Sequence, residues 1–165
     1  MTPPSRATSQ ATQVIRADAE TVWHAFLDPA ALLAWLPPAG MTARLHAFDE
    51  RPGGGYEMSL LYPADEPHLR GKTAEREDRV VVRFTELAPP RRIVEAVRFV
   101  SDDAAFGGEM TLTVTIEPHA DGSVVTMAFA DLPPGLRPED NDEGARISLA
   151  QLARHLERDV GSAAG

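Results

Sequence analysis

The chain has 165 residues, 43% of them hydrophobic and 25% charged, and a folded chain of this length buries roughly 70% of the surface that its unfolded form exposes, which indicates one compact domain. Its 16 basic and 25 acidic side chains give a formal net charge of −9, which would repel a phosphate backbone, so we expect no nucleic-acid partner. The absence of cysteine excludes a disulfide framework, a thiolate nucleophile and a cysteine-based zinc site.

Both ends of the chain are expected to be poorly ordered. Residues 1–9 are polar and residues 161–165 are small, so neither segment buries enough surface to offset the entropy of ordering. A single domain is expected over residues 10–160. Because the sequence has no recognisable signal peptide and no apolar run near the roughly 20 residues of a membrane span, we expect a cytoplasmic protein without membrane contact.

The first predicted elements are a strand and two short helices. β-branched residues predict a strand over residues 10–16. Asp18 stands where an N-cap belongs, and apolar pairs four residues apart predict a helix over residues 19–27. Asp28 and Pro29 are expected to end that helix and to begin a second one, which the prolines at positions 37 and 38 end.

Six further strands are predicted between residues 41 and 130, where alternating and β-branched segments replace the helical period. Their expected ranges are 41–49, 55–62, 80–87, 92–100, 109–117 and 123–130. The clearest pair is joined through Asp121-Gly122, which favours a hairpin turn. Apolar residues alternate with threonines from Met110 to Ile116, so only one face of that strand is expected to be buried.

A long amphipathic helix is predicted over residues 144–160. Its apolar residues follow a helical period, at Ala145, Leu149, Leu152, Leu156 and Val160. The acidic stretch 138–143 is interpreted as the start of this helix, because the helix dipole favours negative charge there and the pattern of a calcium-binding loop is missing.

The order of these elements predicts an α+β fold. Consecutive, turn-linked strands indicate a curved antiparallel sheet of about seven strands wrapped around the C-terminal helix, with two short helices after the first strand. A helix that covers the concave face of such a sheet commonly leaves space beneath it, and a ligand would bind there.

Five short segments carry a family resemblance. They are Ala-Glu-Thr-Val-Trp-His-Ala-Phe-Leu-Asp-Pro at 19–29, Trp-Leu-Pro at 35–37, Arg-Pro-Gly-Gly at 51–54, Glu-Leu-Ala-Pro-Pro-Arg-Arg-Ile-Val at 86–94, and Glu143-Gly144 with Ser148, Leu149 and Leu152. Together they resemble the helix-grip SRPBCC (START-like) superfamily, and within it the branch named for the Hsp90 ATPase activator homologue. The resemblance extends from about residue 10 to residue 158 and implies a helix-grip fold. Because the superfamily includes lipid carriers, hormone receptors and aromatase/cyclases, it leaves the function open.

Ala145 departs from the pattern of that branch, in which many members carry Trp after the Glu-Gly pair. Replacing an indole by a methyl group on the helix that faces the pocket is expected to enlarge or reshape the cavity.

Strand parity and helical phase predict the lining of the cavity. The predicted ligand-binding residues are Trp35, Tyr56, Met58, Phe84, Glu95, Val97, Phe99, Met110, Leu112, Met127, Phe129, Leu149 and Leu152.

Glu95 is the one ionisable residue whose predicted position suggests a chemical role. If the odd positions of residues 93–99 face inward, its carboxyl group projects into an apolar space, where it must be paired or protonated. It would then be a polar anchor for a ligand or a general acid or base. The alternative is that Arg92 or Arg98 marks a solvated face, or that a bulge shifts the register.

Other motifs do not support a cofactor, a metal or a catalytic site. Gly71-Lys72-Thr73 copies the end of a phosphate-binding loop, but that loop needs a glycine at position 66, where the chain has Glu66. The five histidines have no spacing that places two on one helical face, so no metal site is predicted. No nucleophile motif is recognisable.

Three hypotheses about function follow. The first is non-catalytic binding of a small apolar or aromatic ligand between the sheet and the C-terminal helix. The second is an interaction module that binds a chaperone or another protein through its surface. The third is a cyclase or hydrolase that uses Glu95 with Tyr56. Either a monomer or a homodimer is compatible with the sequence.

Overall fold

The computed structural model of the chain describes residues 7–38, 40–62 and 77–164, and the side chains of residues 158–164 are not described. Glu66 and residues 71–73, on which the expectation about phosphate binding depends, lie outside the described residues. The same is true of residues 1–6 of the predicted disordered N-terminus and of residue 165 in the predicted tail.

A curved antiparallel sheet forms one layer of the fold. Its strands are β1 (Ser9–Ile15), β2 (Thr42–Asp49), β3 (Gly55–Leu61), β4 (Glu77–Ala88), β5 (Arg92–Phe99), β6 (Met110–His119) and β7 (Gly122–Ala130). They lie in the order β1-β7-β6-β5-β4-β3-β2, so β2 to β7 pair successively along the chain and β1 pairs with β7. Register shifts at Leu45/Ala47 and Phe84/Glu86 mark β-bulges, which increase the local twist and bend the strands.

Three helices form the second layer. They are α1 (Ala19–Leu27), α2 (Pro29–Trp35) and α3 (Pro138–Ala164), and one 3-10 turn lies at Ala104–Phe106. Asp18 caps α1 as predicted, since its side chain accepts from the Thr21 backbone N–H at 2.8 Å. Asp28 precedes α2 but makes no capping hydrogen bond with its side chain.

Helix α3 begins at Pro138, six residues earlier than the predicted range. Proline is favoured at the first helical position, and Glu139 and Asp140 occupy the first turn, where negative charge is stabilised. The interpretation of the acidic stretch as the start of this helix is therefore confirmed. Asp142 also ties α3 to β1, because its carboxylate accepts from the Ser9 hydroxyl and, at 2.9 Å, from the Gln10 N–H.

The hydrophobic core lies between the sheet and the helices. Met110, Leu112, Val114 and Ile116 of β6 are all buried, whereas the threonines between them are half-buried, so the predicted single buried face is confirmed. Leu149, Leu152 and Leu156 of α3 belong to the same buried cluster. The α+β helix-grip fold predicted from the sequence is thus the observed one.

Candidate functional site

A cavity of about 480 Å³, partly open to solvent, lies between the concave face of the sheet and the first turns of α3. Strands β3 to β7 supply one wall, and Gly144, Ala145 and Ser148 supply part of the other. The lining is mainly apolar, with a small number of polar groups. Its volume lies within the roughly 300–1,000 Å³ typical of small-molecule sites.

Most of the residues predicted to line the cavity do so. Those in the lining are Tyr56, Glu95, Val97, Phe99, Met110, Leu112, Met127 and Phe129. They come from four strands that share the inward face, so the parity argument locates this wall correctly.

Five predicted lining residues are buried in the core instead, and their assignment to the cavity is wrong: Trp35, Met58, Phe84, Leu149 and Leu152. Trp35 packs edge-on against Phe26, and its indole N–H donates to the Ala25 carbonyl at 2.8 Å. Leu149 and Leu152 lie farther along α3, where the helix packs closely on the sheet. The cavity opens only beneath the earlier turns, which helical phase alone does not reveal.

Several lining residues were absent from the predicted ligand-binding set, although the sequence had already indicated that Ala145 shapes the cavity. They lie mainly around the α2–β2 connection, on β3 and β4, and before or within the first turns of α3: Leu36, Pro38, Met41, Leu60, Tyr62, Asp78, Val80, Val82, Phe106, Gly135, Leu136, Arg137, Asp140, Asn141, Gly144, Ala145 and Ser148. Strand parity would have found Val80 and Val82, which alternate with outward positions on β4. The spacing of Asn141, Ala145 and Ser148 on one helical face is the signal that would have found the α3 wall.

Glu95 faces the cavity from β5, opposite Phe84 on β4 and Leu112 on β6. Its side chain is 4% exposed, and its Oε1 has no hydrogen-bond partner among the described residues. Arg92 and Arg98 occupy the opposite, exposed face of the strand, and Arg92 pairs there with Glu86 at 2.7 Å. The alternative of a solvated face or a shifted register at Glu95 is therefore wrong, and its inward orientation is confirmed.

Burial in this apolar space raises the pKa of Glu95 from 4.5 to about 8. An ionised carboxylate would lose its hydration there without a compensating partner, so the neutral acid is favoured. At pH 7 the cavity consequently holds a carboxylic acid that is mostly protonated.

Tyr56 is the aromatic neighbour of Glu95 in the cavity wall. Its ring stacks on Phe48, with centroids 5.8 Å apart, and lies 6.0 Å from the ring of Phe84. Burial, and then the nearby negative charge of Glu95, raise the pKa of Tyr56 well above its ordinary value. The phenol is therefore a neutral hydroxyl whose orientation is held by packing.

Polar groups also occur elsewhere in the lining. The Tyr62 hydroxyl donates to Asp78 at 2.8 Å, and burial, followed by this hydrogen bond, raises the pKa of Tyr62. Arg137 and Asp140 enter the lining from the start of α3. Glu95 thus lies among apolar side chains, with these further polar groups distributed around the same cavity.

Gly144 and Ala145 leave the α3 wall open. The Ala145 side chain is 7% exposed and lines the cavity. A Cβ atom added to Gly144 would meet no atom within 4 Å. These two small residues therefore provide space that a larger side chain would occupy.

Side chains of α3 hold the end of α2 at this wall. The Ser148 hydroxyl donates to the Leu36 carbonyl at 2.7 Å, and the Gln151 amide donates to the Trp35 and Pro37 carbonyls, each at 2.7 Å. These carbonyls come from the last turn of α2 and the residues after it, where intrahelical partners are missing. The clamp, defined as Ser148 and Gln151, positions Leu36 and Pro38 beside the cavity.

Two negative observations apply to the described part of the chain. It contains no cluster of three or more His, Asp or Glu side chains that could hold a metal ion. None of its helices combines the length and apolar character required to cross a membrane.

Comparisons with known proteins agree with this architecture. A family model described as Activator of Hsp90 ATPase homolog 1-like protein matches residues 16–157. A crystal structure of a protein from Chromobacterium violaceum is similar over 91% of this chain and 96% of its own, with 35% identity and a TM-score of 0.80. A search of curated proteins gave no match.

More distant structures show the same fold. A protein from Rhodobacter sphaeroides has 20% identity and a TM-score of 0.75, covering 95% of this chain and 96% of its own. The AHSA1 protein from Silicibacter pomeroyi has 19% identity and a TM-score of 0.75, covering 93% of this chain and 99% of its own.

Proposed function

The chain belongs to the Activator of Hsp90 ATPase homolog 1-like family, and from that premise we propose that it binds a small apolar or aromatic ligand, without turnover, in the cavity beneath α3. The observation that carries this proposal is the cavity itself, because its volume of about 480 Å³ and mainly apolar lining suit a small organic molecule. Transfer of apolar ligand surface from water into this lining supplies the driving force, at roughly 25 cal/mol per Å².

The aromatic preference is supported by the rings that meet in the lining. Tyr56, Phe99, Phe106 and Phe129 all contribute to it, and Phe99 and Phe106 pack edge-to-face with centroids 6.2 Å apart. Aromatic rings pack favourably in such offset or edge-on arrangements, which a planar ligand would extend.

The test described below also bears on two other functions. Docking on a chaperone or another protein is favoured by the family description, which refers to an activator of the Hsp90 ATPase. Turnover by Glu95 with Tyr56 would require a substrate held against both side chains in the same cavity.

The test is a fluorescence titration with N-phenyl-1-naphthylamine, a neutral apolar probe that brightens when it leaves water. We expect saturable binding of one probe molecule per chain. In Ala145→Trp the indole would occupy part of the cavity, so binding should weaken by about tenfold or more, which corresponds to about 1.4 kcal/mol.

The matched control is Arg146→Trp, which places the same indole on the exposed side of α3, next in sequence to Ala145. It should bind the probe as the unmodified protein does. No saturable binding, or equal weakening by both substitutions, would contradict the proposal and leave surface recognition as the better account.

A further inference from the structure

Resting on the proposed function, we propose that the ligand is an apolar amine, whose ammonium group pairs with the carboxylate of Glu95 inside the cavity. Buried polar atoms in proteins almost always have a hydrogen-bond partner, and an unpaired one needs an explanation. The Oε1 atom of Glu95 has none among the described residues, although its side chain faces a space large enough for a ligand.

The charges around the cavity favour a cation over an anion. Within the described lining, Glu95, Asp78 and Asp140 supply three carboxyl groups, and Arg137 supplies one guanidinium. The chain as a whole carries a formal charge of −9. A ligand carboxylate would lie against the carboxyl group of Glu95 in a chain of net negative charge, whereas an ammonium group would form an ion pair with Glu95 once that group ionises.

The aromatic lining suits the same ligand. An ammonium group beside Glu95 lies in a cavity that the rings of Tyr56 and Phe129 also line. The faces of aromatic rings carry negative partial charge and attract cations, most strongly where water is excluded. The apolar body of the amine would pack against Val97, Met110 and Leu112.

Binding of an amine would displace a proton from the protein. Before an amine binds, Glu95 is mainly the neutral acid, because burial raises its pKa to about 8. The ammonium group stabilises the ionised form, so the O–H bond of Glu95 breaks, its proton passes to the solvent, and the ligand keeps its own proton. A neutral alcohol would instead accept or donate a hydrogen bond with the intact acid, and no proton would be released.

The described lining contains five other titratable or charged side chains that could contribute to proton release. They are Tyr56 from β3, Tyr62 just after it, Asp78 from β4, Arg137 just before α3 and Asp140 in its first turn. Burial raises the pKa of both tyrosines above the ordinary value of 10, so their hydroxyls remain protonated at pH 7. We therefore assign the released proton to Glu95.

The test is calorimetric titration at pH 7 with three compounds that carry the same naphthalene group. They are the amine 2-(1-naphthyl)ethylamine, the alcohol 2-(1-naphthyl)ethanol and the carboxylate 1-naphthaleneacetate. We expect the amine to bind about tenfold or more tightly than the alcohol, because charge-assisted pairs are stronger than neutral ones, and the acetate to bind least well. Repeating the amine titration in buffers with different ionisation enthalpies should show release of about one proton per amine bound.

Three variants identify the group responsible. Glu95→Gln keeps the shape of the side chain but cannot ionise, so it should bind amine and alcohol within about threefold of each other and release no proton. Glu95→Leu removes the polar atoms and should give the same loss of preference, which covers the case in which the amide is poorly tolerated. Glu117→Gln, on the exposed part of β6 and outside the lining, should leave both the preference and the proton release unchanged.

The outcomes separate this inference from the proposed function. If N-phenyl-1-naphthylamine binds, any of four results would overturn the inference alone. These are equal affinity for naphthylethylamine and naphthylethanol, preference for the acetate, no binding of naphthylethylamine, or binding of naphthylethylamine without proton release. Absence of binding by N-phenyl-1-naphthylamine and by all three naphthalene compounds would overturn both.

Discussion

Glu95 links the stability of the fold to pH. Its pKa rises from 4.5 to about 8 in the folded chain, so the folded state holds this proton more tightly than the unfolded state does. The resulting contribution to stability is fully present below pH 4.5 and is lost as the pH rises to about 8. At about 1.4 kcal/mol per unit of pKa, this loss is on the order of a few kcal/mol.

This coupling predicts a pH-dependent difference between the protein and Glu95→Gln. The free energy of unfolding of the unmodified protein, relative to that of the variant, should fall by a few kcal/mol between pH 5 and pH 8. Urea unfolding at a series of pH values measures it. The control variant Glu117→Gln, in which an exposed carboxylate is replaced, should follow the unmodified protein; parallel profiles for all three proteins would show that Glu95 titrates normally.

A substitution at Ala145 tests whether this part of α3 borders the cavity. The indole in Ala145→Trp would enter the cavity beside Gly144, where an added Cβ meets no atom within 4 Å. We therefore expect the melting temperature to change little, whereas overpacking of a dense core typically costs about 1–3 kcal/mol. A large fall in melting temperature with unchanged probe binding would place Ala145 in a packed core.

The orientation of Glu95 could be predicted from the sequence, but its lack of a partner could not. Alternation along β5 fixes which side chains share a face, and this depends only on strand geometry. Whether another side chain reaches the carboxyl group depends on residues brought together from β3, β4, β6 and α3. The sequence therefore predicts that Glu95 faces inward, whereas the burial that raises its pKa follows from the tertiary structure.

At the scale of elements, the clamp formed by Ser148 and Gln151 holds α2 against α3. Gln151 donates to two carbonyls near the end of α2, so Gln151→Ala leaves both without this partner. We expect a loss of about 1–3 kcal/mol in the free energy of unfolding, the range for partly buried hydrogen-bonding groups left unsatisfied. Chemical denaturation measures this loss.

The control is Arg154→Ala, three residues further along α3 and exposed to solvent. Substitution there should change stability by less than about 0.5 kcal/mol. Equal effects of the two substitutions would mean that the clamp contributes nothing beyond the general helix propensity of α3.

The elements were predictable to different degrees for physical reasons. Helix α1 and the β6–β7 hairpin depend on local signals, namely the Asp18 cap and the alternation of apolar residues, and both lie close to their predicted positions. The cavity depends on how far α3 stands from the sheet along its length. Leu149 and Leu152 share the inward face of α3 with Ala145, but only the earlier turns border the cavity.

At the scale of the whole molecule, the hydrophobic core and the cavity lie side by side between the sheet and α3, and several residues belong to both. Leu149, Leu152 and Leu156 are buried in the core along the later turns of α3, while Gly144 and Ala145 border the cavity in its earlier turns, where Asp142 ties the helix to β1. Burial of these leucines stabilises the fold, which allows the earlier turns of α3 to border a cavity. This division is the physical basis for assigning ligand binding to the cavity.

The most direct test of that assignment is a map of amide chemical shifts in the ¹⁵N-labelled protein during titration with N-phenyl-1-naphthylamine. The account predicts that the largest changes occur at residues bordering the cavity, including Met110, Phe129 and Ala145. The exposed end of the β6–β7 hairpin, at His119 and Asp121, should show little change. Changes confined to the outer surface, or no saturable changes at any residue, would contradict it.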